Sequence, residues 1–126
     1  MPTTKNPLEL HVWKQRVIII FSENPKSLAD QTASFRAELS ELEDRDLVIY
    51  RLGPQYGTNP LKQKMAKEDY DWLVDRYVNE GDEFLVILIG KDGGVKLRSG
   101  EPVANSKLFE LIDRMPMRIQ EMRKGQ

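Results

Sequence analysis

Three apolar runs dictate what this chain can fold into. They are Val17-Ile18-Ile19-Ile20-Phe21, behind Arg16, then Leu47-Val48-Ile49-Tyr50-Arg51-Leu52, and Phe84-Leu85-Val86-Ile87-Leu88-Ile89. Each is rich in β-branched residues and too short for a typical helix, which marks a strand. The first and third are apolar at every position. Such a strand is buried on both faces, so helices must cover the sheet on both sides.

The segments between the runs carry helical periodicity. Leu28, Thr32, Phe35, Leu39 and Leu42 recur at spacings of four and three, and Ser27 is the expected N-cap. Tyr70, Leu73, Val74, Tyr77 and Val78 form a second stripe, with Gly81 as the expected stop. Between Gly53-Pro54 and that stripe lies a polar loop, longer than the usual connection. Lys91-Asp92-Gly93-Gly94 is a hairpin turn, and Val95-Lys96-Leu97-Arg98 alternates as an edge strand does. Ser106 is the expected cap of a last helix through Leu108, Phe109, Leu111 and Ile112. Pro116 lacks an N–H and crowds the preceding turn, so it breaks that helix and restarts it.

The order is therefore β-α-β-α-β-β-α. Two parallel crossovers, a hairpin and a closing helix resemble the thioredoxin core, an α/β three-layer sandwich around a central mixed four-stranded sheet. A flavodoxin-like sheet would need a further crossover helix where Asp92-Gly93 turns. Residues 1–10, with Pro2 and Pro7, read as an N-terminal arm, and residues 11–126 as a single domain.

Composition narrows the chemistry. The 126 residues include no cysteine, which removes disulfides, zinc-thiolate sites, iron–sulfur clusters and thiol redox catalysis. A thioredoxin would carry its redox pair after the first strand, near Asn24 to Leu28, and no thiol stands there. It would also carry a cis-proline before the third strand, where this chain has Gly81-Asp82-Glu83. The formal net charge is −1, so no global field favours nucleic acid or an anionic membrane. No apolar segment reaches the roughly 18 residues of a membrane span. Met1 to Pro7 holds one lysine and no apolar stretch, so no export signal is expected in this chain; a trimmed precursor would place it in the periplasm or outside the cell.

The remaining candidates for chemistry have simpler roles. His11, the one histidine, is expected at the surface or at a cap, and Glu9 and Asp46 offer no metal-ligand spacing with it. No metal or cofactor is expected. Ser22 and Ser27 lack a nucleophile elbow. Gly90-Lys91-Asp92-Gly93-Gly94 is followed by a strand rather than the helix of a phosphate loop. Arg114, Arg118, Arg123 and Lys124 interleave with Glu110, Asp113 and Glu121, as on a solvated helix face.

Four motifs carry a family resemblance: Trp13-Lys14-Gln15-Arg16, Asp44-Arg45-Asp46-Leu47, Gly90-Lys91-Asp92-Gly93-Gly94-Val95-Lys96-Leu97 and Ile112-Asp113-Arg114-Met115-Pro116-Met117-Arg118. From about Leu8 onward the chain resembles the P-DUDES group of thioredoxin- and peroxiredoxin-like domains of unknown function. Related domains occur in the secreted animal proteins coiled-coil domain-containing 80 and sushi-repeat-containing protein X-linked. The resemblance implies the fold. Its animal relatives are linked to extracellular matrix and adhesion, and its bacterial members are often exported.

Topology brings these motifs together. The third strand runs antiparallel to the first, so the Asp92-Gly93 turn lies where strands one and two begin. Arg16, Arg45, Asp46, Lys91, Asp92, Asp113, Arg114 and Arg118 are expected to converge there, about 20 Å from the vacant redox position at strand spacing. Asp113 or Arg114 is expected to tie the helix break to the Lys91–Gly94 hairpin. The cluster is either a network pinning the broken helix or a ligand or partner site. The expected function is a non-catalytic protein-interaction or scaffold module. The alternative is a thiol-independent enzyme or small-anion binder using Arg16, Lys91, Arg114 and Arg118. A protein or a small anion is the expected class of partner; nucleic acid and membrane are not.

Overall fold

A computed structural model describes residues 5–125. The expectation for Pro2 and the rest of residues 1–4 lies outside the described residues. The strands are β1 (Arg16–Ser22), β2 (Leu47–Leu52), β3 (Gly57–Thr58), β4 (Phe84–Ile89) and β5 (Val95–Ser99). The helices are α1 (Pro25–Arg36), α2 (Leu39–Asp44), α3 (Lys67–Tyr77), α4 (Asn105–Asp113) and α5 (Pro116–Lys124).

The four expected strands lie side by side with β5 at one edge, and the long polar loop adds a fifth, β3, at the other, giving the order β3-β2-β1-β4-β5. β2 runs parallel to β1, while β4 is antiparallel to it and β5 to β4. β3 pairs with the end of β2, Arg51 opposite Thr58 and Leu52 opposite Gly57. Glycine is required there: a Cβ on Gly57 would lie 2.6 Å from both the Arg51 carbonyl and the Leu52 side chain.

Alternation along the strands builds two cores. Val17, Ile19, Phe21, Tyr50, Leu52 and Ile87 face α3 through Tyr70, Leu73 and Tyr77. Ile18, Ile20, Leu47, Ile49, Val86 and Leu88 face Leu28 and Phe35 of α1, Leu42 of α2 and Leu108, Phe109 and Ile112 of α4. Each fully buried aliphatic side chain contributes about 1.5–3 kcal/mol. The arm expected over residues 1–10 is packed down from Leu8, which is buried in the α3-side core, and Glu9–His11 form one 3₁₀ turn.

Helix ends depart from the sequence reading in ways local chemistry explains. The first helix is capped by Asn24, not Ser27: its carboxamide oxygen accepts from the N–H of Lys26 at 2.8 Å and of Ser27 at 3.2 Å, with Pro25 opening the helix. The stripe expected to form one helix is divided, and Leu39 and Leu42 belong to α2. α3 ends at Tyr77, so Val78 lies past it and Gly81, at φ +91°, shapes the following turn instead of the helix stop. Ala104 precedes α4 without a side-chain cap, so Ser106 is not a cap. Pro116 does restart the helix, as the first residue of α5.

The Asn24 cap yields a direct test. Asn24→Ala should cost about 1 kcal/mol in urea unfolding, whereas Ser27→Ala should change stability by less than about 0.5 kcal/mol.

Candidate functional site

The polar cluster is built where β1 and β2 begin. Asp46 adopts φ +53°, tolerated by aspartate, and its carbonyl accepts the Arg16 N–H at 2.8 Å. That turn aims the neighbouring side chains inward. Arg16 is only 1% exposed. Its Nη1 donates to the Arg45 carbonyl at 2.9 Å and to Glu121 Oε1 at 3.1 Å, and its Nη2 to Glu121 Oε2 at 3.2 Å. A planar fork suits this two-point grip on a carboxylate. Lys91 Nζ reaches Glu121 Oε2 at 2.7 Å and Asp46 Oδ2 at 2.8 Å.

A second knot lies beside the first. Arg45 grips Asp113 at 3.1 and 2.9 Å, reaches Glu41, and lies 4.4 Å over the Phe109 ring. Arg118 donates to Asp113 Oδ1 at 3.1 Å, to the Asp44 carbonyl at 2.8 Å and to Asp44 Oδ2 at 2.6 Å. Burial alone would raise the Glu121 and Asp113 carboxyls. The guanidinium and ammonium partners outweigh it, and both acids are held below their ordinary range.

Six of the eight expected residues meet here: Arg16, Arg45, Asp46, Lys91, Asp113 and Arg118. Asp92 and Arg114 do not. Asp92 closes the hairpin, accepting from the Gly94 N–H and from Lys96, each at 2.9 Å. Arg114 projects outward and pairs with Glu110 one helical turn back. The bend is tied to the hairpin by Glu121, not by Asp113 or Arg114. Glu41, Asp44 and Glu121 complete the cluster and escaped the sequence reading. Glu121 was visible as one acid of an apparently solvated helix face; its spacing of three from Arg118 was the available signal.

The arrangement carries four buried cations (Arg16, Arg45, Lys91 and Arg118) against five carboxylates (Glu41, Asp44, Asp46, Asp113 and Glu121). Every cation is paired. A cleft of about 340 Å³ opens beside it between the hairpin and Met115–Met117, but its inner cations, Arg16 and Lys91, are those already held by Glu121.

His11 is buried, contrary to expectation, because the 3₁₀ turn carries it onto the sheet. Its Nε2 lies 2.7 Å from the Tyr50 hydroxyl, and its Nδ1 faces Gln15. Burial, with the Asp69 charge, pushes the Tyr50 hydroxyl up to about 12. At the vacant redox position, Ser22 Oγ closes a local turn with Asn24 at 3.0 Å. Among the described residues no cluster of three or more acidic or histidine side chains is arranged to hold a metal ion.

The match to known proteins follows this geometry. Residues 7–121 match the family described as Domain of unknown function (DUF4174), from just before the 3₁₀ turn to the glutamate that holds Arg16. The chain belongs to that family. No curated protein matches it. Among solved structures, this DUF4174 domain is similar to the reduced 2-Cys peroxiredoxin of Plasmodium vivax, with TM-score 0.57 and 15% identity over 93% of this chain and 84% of that one. It is similar to Plasmodium yoelii Prx1a, with TM-score 0.60 and 17% identity over 93% and 80%. The mitochondrial 2-Cys peroxiredoxin of Plasmodium falciparum gives TM-score 0.57 and 11% identity over 94% and 84%. At such identity the likeness shows the thioredoxin-like fold of peroxiredoxins. In the DUF4174 domain that fold carries no cysteine.

The two knots differ in redundancy. Removing Glu121 leaves Arg16 without a carboxylate, whereas Arg45 and Arg118 keep Glu41 and Asp44 when Asp113 is lost. Glu121→Ala should therefore cost roughly 3 kcal/mol or more and Asp113→Ala roughly 1–3 kcal/mol, measured by denaturant unfolding. Both carboxyls bind protons less tightly folded than unfolded, from ordinary values of 4.5 and 3.8. Stability should then be fully present above those values and fall as acid protonates the folded carboxyls. Glu121→Gln should flatten that acid slope.

Proposed function

We propose that this DUF4174 domain is a non-catalytic protein-interaction module, with the polar cluster serving as a structural latch. The fold's redox reagent is missing, and the charges that could polarise a substrate at the latch are committed to one another. We further place it within the P-DUDES group, on the four motifs that resemble it.

The observation that carries the reading is Trp13. This indole opens the Trp-Lys-Gln-Arg motif and is 64% exposed. Its backbone sits at φ +67°, a strained conformation for a bulky residue, costing about 1–3 kcal/mol. The Trp13 N–H donates to the Lys91 carbonyl at 2.6 Å, so the latch holds the strain in place. Leu10, on the adjoining 3₁₀ turn, is also 64% exposed. A tryptophan displayed on a rigid, strained turn is the kind of anchor that dominates protein interfaces.

The alternative of a small anion held by Arg16, Lys91, Arg114 and Arg118 has less support. The first two and Arg118 are internally paired, Arg114 points elsewhere, and the cluster's own charge is acidic.

Assays with peroxide, insulin disulfide and glutathione should stay at the buffer rate; turnover abolished by a single substitution would overturn non-catalysis. A photo-cross-linker at Leu10 should form a discrete adduct in native extract, and one at exposed Lys107 should not. Trp13→Ala should abolish the adduct while changing stability by less than about 0.5 kcal/mol. An adduct undiminished by Trp13→Ala would overturn the docking face.

A further inference from the structure

The opposite pole holds a cleft with the reverse electrostatics. It lies at the C-terminal ends of β1 and β2, has a volume of about 300 Å³, and is walled by Pro25, Leu28, Pro54, Tyr56 and the β3 edge. No lining residue is acidic. A dry cavity of roughly 150 Å³ accommodates benzene, so a ring bearing a carboxylate fits this volume.

Two residues of its lining each hold a buried polar atom without a hydrogen-bond partner: Arg51 Nε and Thr58 Oγ1. They are neighbours by construction. Arg51 and Thr58 face each other in the β2–β3 register, so their side chains share one face of the sheet. Alternation with Leu47 and Ile49 puts that face under α1. Among the described residues no carboxylate lies within salt-bridge distance of Arg51 or of Arg36 at the end of α1. Burial, and then the like charge of Arg51, loosens the Arg36 proton. Lys64 adds a third cation at the rim, 5.3 Å from the Tyr56 ring centroid.

A buried donor without a partner is costly and rare in folded proteins. Here a guanidinium with an unpartnered Nε and an unpartnered hydroxyl belong to facing residues in the wall of a mostly apolar cleft. We propose that this cleft binds a small organic acid, its carboxylate held by Arg51 and Thr58 and its apolar body against Leu28, Pro25 and Tyr56. The site is separate from the Trp13 face, and neither reading rests on the other.

NMR titration of the full chain with benzoate tests the assignment. Saturable shifts should map to the amides of Gly53, Tyr56, Gly57 and Thr58 and leave Arg16 and Lys91 still, with sodium chloride at equal ionic strength giving none. Arg51→Met should weaken benzoate at least about tenfold and Thr58→Val about threefold, with spectra otherwise retained. Free Arg51→Met should melt no lower than the parent, because it loses an unpaired buried group. Benzyl alcohol binding as tightly as benzoate, or Arg51→Met keeping its affinity, would overturn the proposal. So would the absence of a saturable benzoate response, or phenyl phosphate binding tighter than benzoate.

Discussion

The guanidinium of Arg16 ties the ends of this fold together. Buried at the first residue of β1, it would be costly uncompensated, and its charge partner comes from a helix more than a hundred residues later. Glu121 lies on the segment that restarts at Pro116 after the preceding helix ends at Asp113. The same carboxylate takes the Lys91 ammonium, and Lys91 in turn takes Asp46. Strand, hairpin, turn and helix thereby share one charge network, and α5 is positioned by electrostatics more than by its modest apolar surface. Breaking one partner leaves another charge buried, which makes the arrangement specific as well as stable.

The two poles of the sheet manage charge in opposite ways. At the pole where β1 and β2 begin, four buried cations meet five acids and every donor fork is occupied. At the pole where they end, Arg51 lines a mostly apolar cleft, and among the described residues neither it nor Arg36 has a carboxylate within salt-bridge distance. A matched network spends its interaction energy inside the fold. An unmatched pair retains it for something outside. Where a thioredoxin is expected to carry its redox pair, after the first strand, this chain has the Ser22–Asn24 turn and the Asn24 helix cap.

Particular residues show why part of the cluster was legible in advance. Arg16, Asp46 and Lys91 flank strand ends, so topology alone brought them to one pole. Asp92 and Arg114 share that pole but were misassigned. A side chain in a hairpin or on a helix satisfies its nearest neighbour first, Lys96 and Glu110 respectively, and one-dimensional spacing does not say which way it turns. Glu121 looked like an ordinary solvated acid because its partners are remote in sequence. His11 looked exposed because nothing local shows that a single 3₁₀ turn lays it against Tyr50.

By itself the sequence determined the layered α/β fold, the strand directions, the hairpin at Asp92-Gly93, the helix restart at Pro116 and the exclusion of thiol chemistry. These follow from hydrophobic periodicity, proline and glycine geometry, and composition, all of which act locally. Only the tertiary structure decided which acid meets which base, that β3 folds onto Arg51, and that Trp13 is displayed while His11 is buried. Those outcomes depend on long-range contacts and on the high cost of an unpaired charge away from water, and neither is written in the spacing of neighbouring residues.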